Sequence, residues 1–207
     1  MSALSTALVV AGLAAANVVA GRLIRGPLKD LPAEHRLNGD LRQRGGPRTD
    51  ALATVLSRSS DTSRAVTLGL ALTGVLAIRG QRRAAFIPGL AMAMASATHV
   101  SSSILTGRPR PAVEQIGTHQ PTSSFPSGHV GAMTALAVVL GRSCDPLPRP
   151  LRVLVRAGLV SYLGLLGWSR LYAGQHYASD VLAGYVNGVV CGRLARRAVG
   201  DQQGTGL

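Results

Sequence analysis

The residues best placed to do chemistry in this sequence lie between Ser169 and Asp180, in the segment SRLYAGQHYASD. His176 and Asp180 are four residues apart, so on a helix they would lie one turn apart on the same face. A carboxylate in that position can accept the proton of one imidazole nitrogen and leave the other neutral and nucleophilic. Arg170 adds a planar fork of donors that suits a phosphate. The spacing therefore indicates a histidine nucleophile beside an anion site, or else a structural His–Asp pair, which is the commoner case.

A second cluster, Pro126-Ser127-Gly128-His129, opens the apolar run 127–141. A helix that begins near Ser127 would offer free backbone N–H groups and a positive dipole end to an anion. Pro126 suits a position just before the helix or at its first residue, and Gly128 would let a phosphate approach the backbone closely. His129 could then face the anion as a general acid. The cluster predicts an anion site with its own proton donor.

Apolar runs make up much of the chain, which is 46% hydrophobic and only 15% charged. This composition is typical of membrane helices rather than of a water-soluble core. We therefore predict an all-α fold, a bundle of six transmembrane helices that forms a single membrane-embedded domain over residues 1–207. The predicted spans are residues 3–20, 65–78, 84–106, 127–141, 153–168 and 180–192. The last run carries overlapping GxxxG spacing at Gly184, Gly188 and Gly192, which predicts close packing against a neighbouring helix.

The N-terminal third of the chain has two distinct parts. No positive charge precedes the run 3–20, which favours a retained membrane helix over a signal peptide, with cleavage near residues 14–16 as the alternative. The polar segment 21–64 contains several prolines and is expected to lie at the extracytoplasmic membrane surface between the first two spans. Short interfacial helices are predicted in it at residues 31–35 and 52–56.

The distribution of basic residues predicts the orientation in the membrane. Ten arginines fall on one side of a six-span bundle, in the turn 79–83, the connector 142–156 and the C-terminal segment. Arginines in short connectors favour the cytoplasm, which puts loops 107–125 and 169–179 on the extracytoplasmic face. The nine Lys and Arg residues of segment 21–64 argue for the opposite orientation.

A net charge of +13 could indicate nucleic-acid binding, but the basic residues lack interleaved aromatic residues for base stacking. Anionic lipid headgroups and membrane orientation explain the charge better, so we expect a membrane bilayer and no nucleic acid as partner. The two cysteines, Cys144 and Cys191, are far apart and are expected to be free thiols. The sequence makes no prediction about oligomeric state.

Three segments taken together resemble the signature of the type 2 phosphatidic acid phosphatase superfamily. They are Arg110-Pro111, then Pro126-Ser127-Gly128-His129, then Ser169-Arg170 with His176 and Asp180. The second and third parts match fully, and the resemblance extends from about residue 103 to residue 180. It implies the membrane branch of that superfamily, whose members include lipid phosphate phosphatases and polyprenyl diphosphate phosphatases.

The resemblance also implies a role for each matching residue. His176 would be the nucleophile that forms a phosphohistidine, Asp180 would orient it, and His129 would protonate the leaving oxygen and then help to activate water. The phosphoryl oxygens would be held by Arg110, Ser127, Gly128, Ser169 and Arg170. Because fixed arginines would supply the positive charge that Mg²⁺ supplies in other phosphoryl-transfer sites, no metal and no cofactor is implied.

The first part of the signature departs from the family pattern at one position. The family has a lysine seven residues before the arginine of the final RP, and that position holds Ser103 here. The only lysine of the chain, Lys29, lies in another segment. Loss of one cation could weaken transition-state binding by a few kcal/mol. Arg108, two residues before Arg110, is the predicted substitute in the phosphate site.

These expectations combine into a function. The chain is predicted to be a multi-pass cell-membrane phosphatase that hydrolyses a polyprenyl (di)phosphate of the cell envelope, or a related lipid phosphate. A glycerolipid phosphate such as phosphatidic acid or phosphatidylglycerophosphate is the alternative substrate. A protein that binds or transports lipid phosphates without hydrolysis, because of Ser103, is the alternative from another functional class. A haloperoxidase is disfavoured because a membrane body does not suit a soluble oxidant-producing enzyme.

Overall fold

The computed structural model of the chain describes residues 2–117 and 122–200, and its regular elements in that part are helical. A single 3-10 turn, Ala84–Phe86, leads directly into the fifth α-helix. The α-helices are α1 (Ala3–Arg25), α2 (Pro32–Gln43), α3 (Pro47–Ser59), α4 (Thr62–Ile78), α5 (Ile87–Thr106), α6 (Gly128–Ser143), α7 (Arg149–Tyr172) and α8 (Ala178–Gly200).

Helices occupy all six predicted apolar runs, which confirms the all-α fold. By length and composition, three of the described helical segments are able to cross a membrane, namely Ala3–Arg25, Ala84–Thr106 and Arg149–Tyr172. The helices α3 and α4 meet at a 52° bend and would make a fourth span if they act as one. Since α6 has only 16 residues, it is shorter than the ~20 residues of a typical span. Crossing by six helices therefore stays a prediction.

The centre of the bundle is the pairing of α6 with α8. A β-carbon on Gly188 would lie 2.4 Å from Cβ of Thr134 and 2.5 Å from the carbonyl oxygen of Gly131. Gly184 meets Ser127 in the same way, and Gly192 meets Val138. Small residues allow two helix backbones to approach this closely. The predicted packing of the glycine stripe is confirmed, and it fixes the start of α6 beside the start of α8.

The segment 21–64 forms two helices that are longer than predicted, and these cover one end of the bundle. Asn38 in α2 is buried, and its Nδ2 donates to the carbonyl oxygens of Leu171 (2.8 Å) and His176 (3.1 Å). The Tyr172 hydroxyl donates to Asp50 in α3 at 2.5 Å. The expected interfacial segment is therefore bonded to α7 and to the loop that carries His176.

The other end of the bundle gathers the short basic connectors. One cavity there is lined by Gln81 of the turn after α4, by Asp145 of the connector after α6 and by Arg196 near the end of α8. This agrees with the prediction that these three regions share one side. Cys144 and Cys191 are buried and free, as expected.

Candidate active site

His176 lies in the short loop between α7 and α8 and is 2% exposed. Its Nδ1 lies 2.7 Å from the carbonyl oxygen of Ser124. Because a carbonyl can only accept, the ring proton resides on Nδ1, and Nε2 keeps its lone pair. Burial, which penalises the imidazolium, lowers the pKa of His176 to about 4; the nearby Asp180 opposes the shift, and Arg170 adds to it. The imidazole is therefore neutral at pH 7.

Asp180 is fully buried in the first turn of α8, but it is not the hydrogen-bond acceptor of the His176 ring. Its Oδ2 lies 3.7 Å from Nδ1 of His176, which is beyond hydrogen-bond distance. That oxygen instead accepts the backbone N–H of Tyr177 at 2.7 Å. The Ser124 carbonyl therefore accepts the Nδ1 proton, which is the role that the sequence predicted for Asp180. The Asp180 carboxylate acts on the imidazole only by its electrostatic field.

Arg108 is also placed differently from the expectation. Its guanidinium is bonded to Asp180 at 2.7 Å and to Glu34 of α2 at 2.9 Å, and its Nε lies 3.4 Å from Asp30. The same group lies over the ring of Tyr177, 4.1 Å from the centroid. A guanidinium that is 1% exposed and surrounded by carboxylates is already neutralised. Arg108 therefore belongs to this buried ion-pair network and is not part of the wall of the cavity beside His176. Its role in phosphate binding stays a prediction.

A cavity of about 280 Å³ lies beside His176. Its walls come from α4, α5 and the start of α6, together with the two loops of the sequence signature. The polar side chains on these walls are those of Ser60, Thr62, Ser96, His99, Arg110, Thr122, His129 and His176, and Gly128 also lines the cavity. Val66, Met92 and Val100 make an apolar side between α4 and α5. The arrangement brings the predicted nucleophile, the predicted acid and one predicted arginine into one space.

The start of α6 is where the sequence predicts an anion site. Ser127 is the N-cap residue, and its backbone N–H donates to the carbonyl oxygen of Asp180 at 2.9 Å, which ties the start of α6 to α8. The Ser127 hydroxyl and the Arg170 Nε are buried and have no hydrogen-bond partner among residues 2–117 and 122–200. A buried donor without an acceptor reduces the stability of the protein, unless a ligand accepts its hydrogen bond. Both belong to the predicted phosphate site.

The two remaining predicted phosphate ligands differ in their surroundings. Arg110 lines the cavity and donates to the Gln175 carbonyl at 2.6 Å and to Thr122 Oγ1 at 3.3 Å. Burial lowers the pKa of Arg110, and Asp180 opposes the shift. Ser169, by contrast, is buried within α7, where its hydroxyl donates to the Leu166 carbonyl at 2.7 Å. Ser169 does not belong to the cavity wall, so its phosphate-binding role stays a prediction.

His99 is a cavity residue that lies outside the three motifs of the sequence signature. Its Nδ1 lies 2.9 Å from the Pro126 carbonyl oxygen. A β-carbon on Gly128 would come within 2.8 Å of the His99 ring, so glycine is required there for the ring to fit. Ser103, at the family's lysine position, lies one helical turn further along α5 and is not part of the wall. His99 lies four residues before Ser103, on the same helix face as the family's lysine position. This spacing is a sequence signal that could have identified His99 as a site residue.

Comparison with protein families decides the assignment. The sequence profile described as PAP2 superfamily matches residues 84–203, which is more than half of the chain. The chain belongs to the PAP2 superfamily. It is therefore a phosphoric ester hydrolase by family. The three parts of the sequence signature all lie within the matched region.

Curated proteins from two bacteria are similar to this chain in sequence. The decaprenylphosphoryl-5-phosphoribose phosphatase of Mycobacterium tuberculosis is 32% identical over 137 residues, which are 65% of this chain and 72% of the relative. The enzyme of the same name from Mycolicibacterium smegmatis is 34% identical over 120 residues, 56% of this chain and 61% of the relative.

Two solved structures share the fold of this PAP2 chain. A transmembrane PAP2-type phosphatidylglycerolphosphate phosphatase from Bacillus subtilis superposes with a TM-score of 0.77 at 20% identity, covering 98% of this chain and 96% of its own. LpxE from Aquifex aeolicus gives a TM-score of 0.63 at 24% identity, with 78% and 93% covered. The first match includes nearly the whole chain, so α2 and α3 belong to the shared fold.

Proposed function

We propose that this protein is a membrane lipid phosphatase that removes a phosphate from a polyprenyl-linked carrier through a phosphohistidine on His176. The observation that carries the proposal is the ring of His176. Its Nδ1 is bonded to the Ser124 carbonyl at 2.7 Å, and its ring forms part of the wall of a cavity shared with His129 and Arg110. A neutral, oriented imidazole at an anion site has the properties of a nucleophile for phosphoryl transfer.

The proposed reaction has two displacement steps. In the first, Nε2 of His176 attacks phosphorus, the bond from phosphorus to the ester oxygen breaks, and His129 gives its proton to that oxygen. In the second, water attacks the phosphohistidine, His129 takes a proton from the water, and the P–N bond breaks to release inorganic phosphate. The negative charge of the bound phosphate favours the protonated form of His129 that the first step requires.

The positive charge that stabilises the transition state would come from the protein. Arg110, which lines the cavity, would contact the phosphoryl oxygens together with Arg170 and the N–H groups at the start of α6. The unpartnered Arg170 Nε and Ser127 hydroxyl are donors that its oxygens would satisfy. Fixed donors of this kind are typically the largest contribution to catalysis of such reactions. We therefore expect activity without added metal.

The relatives support the polyprenyl class of substrate. Their name describes a phosphate on a ribose that is attached to a decaprenyl phosphate, and their identity to this chain exceeds 30%. The glycerolipid alternative is supported by the phosphatidylglycerolphosphate phosphatase, which shares the fold at 20% identity. The first class is therefore favoured. The active site is proposed to open at the extracytoplasmic face, as the arginine distribution predicts.

The test is phosphate release by the purified full-length protein in detergent with a chelator present. Decaprenylphosphoryl-5-phosphoribose, a polyprenyl diphosphate, phosphatidylglycerophosphate and phosphatidic acid would be compared as substrates. We expect the first to be hydrolysed with the highest kcat/KM, and we expect His176→Ala to abolish release together with any acid-labile phosphoenzyme.

Two outcomes would contradict the proposal. Undiminished turnover by His176→Ala would exclude this histidine as the nucleophile. Tight binding of lipid phosphate with no release by the wild type, and release by Ser103→Lys, would identify a binding protein that lost hydrolysis with the lysine. His119→Ala serves as a control, because it removes a histidine to which no role is assigned.

A further inference from the structure

A second cavity, of about 710 Å³, lies between α6, α7 and α8 at the end of the bundle opposite His176. It lies beside the second half of α6, the first half of α7 and the second half of α8. Its apolar wall consists of Ala137, Val138, Leu159, Val160, Leu163 and Val189. The apolar wall is open to the surroundings of the bundle, since Val160 is 71% exposed. We call this cavity the basic groove because of the residues at its end.

Five arginines line the end of the basic groove, namely Arg142, Arg156, Arg193, Arg196 and Arg197. Asp145 pairs with two of them, at 3.4 Å from Arg142 and in a shorter contact with Arg156. The arginines of α8 form no ion pair or hydrogen bond within residues 2–117 and 122–200. Cations gathered in one place repel each other, and an anion that binds among them removes that repulsion.

The groove thus joins two surfaces of different chemistry. In the predicted six-span arrangement, its apolar wall would lie along helices inside the bilayer, and its cationic end would lie where the short basic connectors leave the membrane. A ligand that matches both surfaces has a hydrocarbon chain attached to a phosphate. Basic pockets between membrane helices hold acidic lipid headgroups.

We propose that the basic groove binds one anionic glycerophospholipid, with its phosphodiester among the arginines of α8 and an acyl chain along the wall between α6 and α7. The site is separate from the catalytic cavity, because the two lie at opposite ends of α6 and share no lining residue. The bound lipid would fill the space beside the α6–α8 pair and act as a structural ligand rather than as a substrate.

The test uses native mass spectrometry of the purified full-length protein with phosphatidylglycerol or phosphatidylcholine added in detergent. The wild type should retain one phosphatidylglycerol much more tightly than phosphatidylcholine. The double variant Arg193→Gln/Arg197→Gln should weaken that binding by about tenfold or more. Its phosphatase activity should be unchanged, which shows that the variant is folded.

The matched control is Arg79→Gln/Arg82→Gln, which removes the same charge from the same end of the bundle but outside the groove. Equal weakening by both double variants would overturn the proposal, because it would mean general attraction to a basic surface. Filling the apolar wall with Ala137→Trp should also weaken lipid binding. Unchanged binding by Ala137→Trp, or displacement of the lipid by millimolar inorganic phosphate, would indicate a site for a free anion and would overturn the lipid assignment.

Discussion

At the scale of single residues, the important feature is that a main-chain carbonyl holds the proposed nucleophile. The Ser124 carbonyl accepts the Nδ1–H of His176 at 2.7 Å, and the ring is buried. A carbonyl cannot be protonated in the working pH range and cannot be exchanged by a side-chain substitution. The tautomer with a free Nε2 is therefore set by the backbone of the loop before α6.

The first residue-scale prediction concerns the protonation of this ring. Burial lowers the pKa of His176 to about 4, so its neutral form persists below pH 6 and the imidazolium forms only as the pH falls through about 4. Nitrogen-15 NMR of labelled histidine should show a neutral Nδ1–H tautomer at pH 6 that disappears in His176→Ala. An imidazolium signal assigned to His176 at pH 6 would contradict the structure.

The second residue-scale prediction concerns Asp180→Asn. Substitutions that produce the wrong histidine tautomer elsewhere reduce kcat by ~10⁴-fold, but here the Ser124 carbonyl keeps the tautomer. We expect a loss of about 10- to 1000-fold, from weaker electrostatic stabilisation of a positively charged intermediate and from a displaced Arg108. Steady-state kinetics combined with the same NMR measurement checks this. A loss of 10⁴-fold with an altered tautomer would restore Asp180 as the orienting residue.

Only some residues of the candidate site could be predicted from the sequence. The signature identified His176, His129 and Arg110, and the structure brings these three around one cavity. Arg108 was predicted to replace the missing lysine from its spacing to Arg110 alone, because its partners Glu34 and Asp180 are 74 and 72 residues distant. No local pattern reports contacts over such separations. For the same reason no sequence pattern showed that Tyr172 and Tyr177 are buried, each at 1% exposure.

At the scale of elements, the glycine face of α8 sets the position of α6. Gly184, Gly188 and Gly192 contact successive turns of α6, and the Ser127 N–H bonds to the Asp180 carbonyl at the end of that contact. GxxxG spacing predicted close packing but could not identify the partner helix. The predicted helices at 31–35 and 52–56 were too short, because contacts with α7 stabilise residues that have little helical preference by themselves.

The element-scale prediction is that Gly188→Ala destabilises the protein. Its new β-carbon would lie 2.4 Å from Cβ of Thr134 and 2.5 Å from a backbone oxygen, and overpacking of this kind typically costs about 1–3 kcal/mol. Thermal unfolding in detergent measures the change. Gly158→Ala in α7 is the matched control, since nothing lies within 4 Å of its new β-carbon. Equal stability of the two variants would show that α6 and α8 are not packed as described.

At the scale of the whole molecule, the two ends of the bundle differ in chemistry. The end with His176 is covered by α2 and α3, and the other end gathers the basic connectors and the basic groove. Because Cys144 and Cys191 are buried, introduced cysteines can be labelled selectively. The separation of the two ends makes the proposed orientation directly measurable.

The whole-molecule prediction uses Arg36→Cys in α2 and Arg82→Cys in the turn after α4, both at exposed positions. A membrane-impermeant maleimide applied to intact cells should label Arg36→Cys and should label Arg82→Cys only after the membrane is opened. The wild type, labelled in parallel, gives the background from the native cysteines. The reverse pattern would place the active site on the cytoplasmic face.

The cavity beside His176 also limits how a substrate is recognised. Its volume of about 280 Å³ is enough for a phosphorylated sugar but far too small for a long prenyl tail. The apolar side between α4 and α5 is where such a tail would leave, and Val100 there is 52% exposed. The enzyme would therefore select its substrates by the headgroup, and lipids that differ only in the number of isoprene units would be hydrolysed at similar rates.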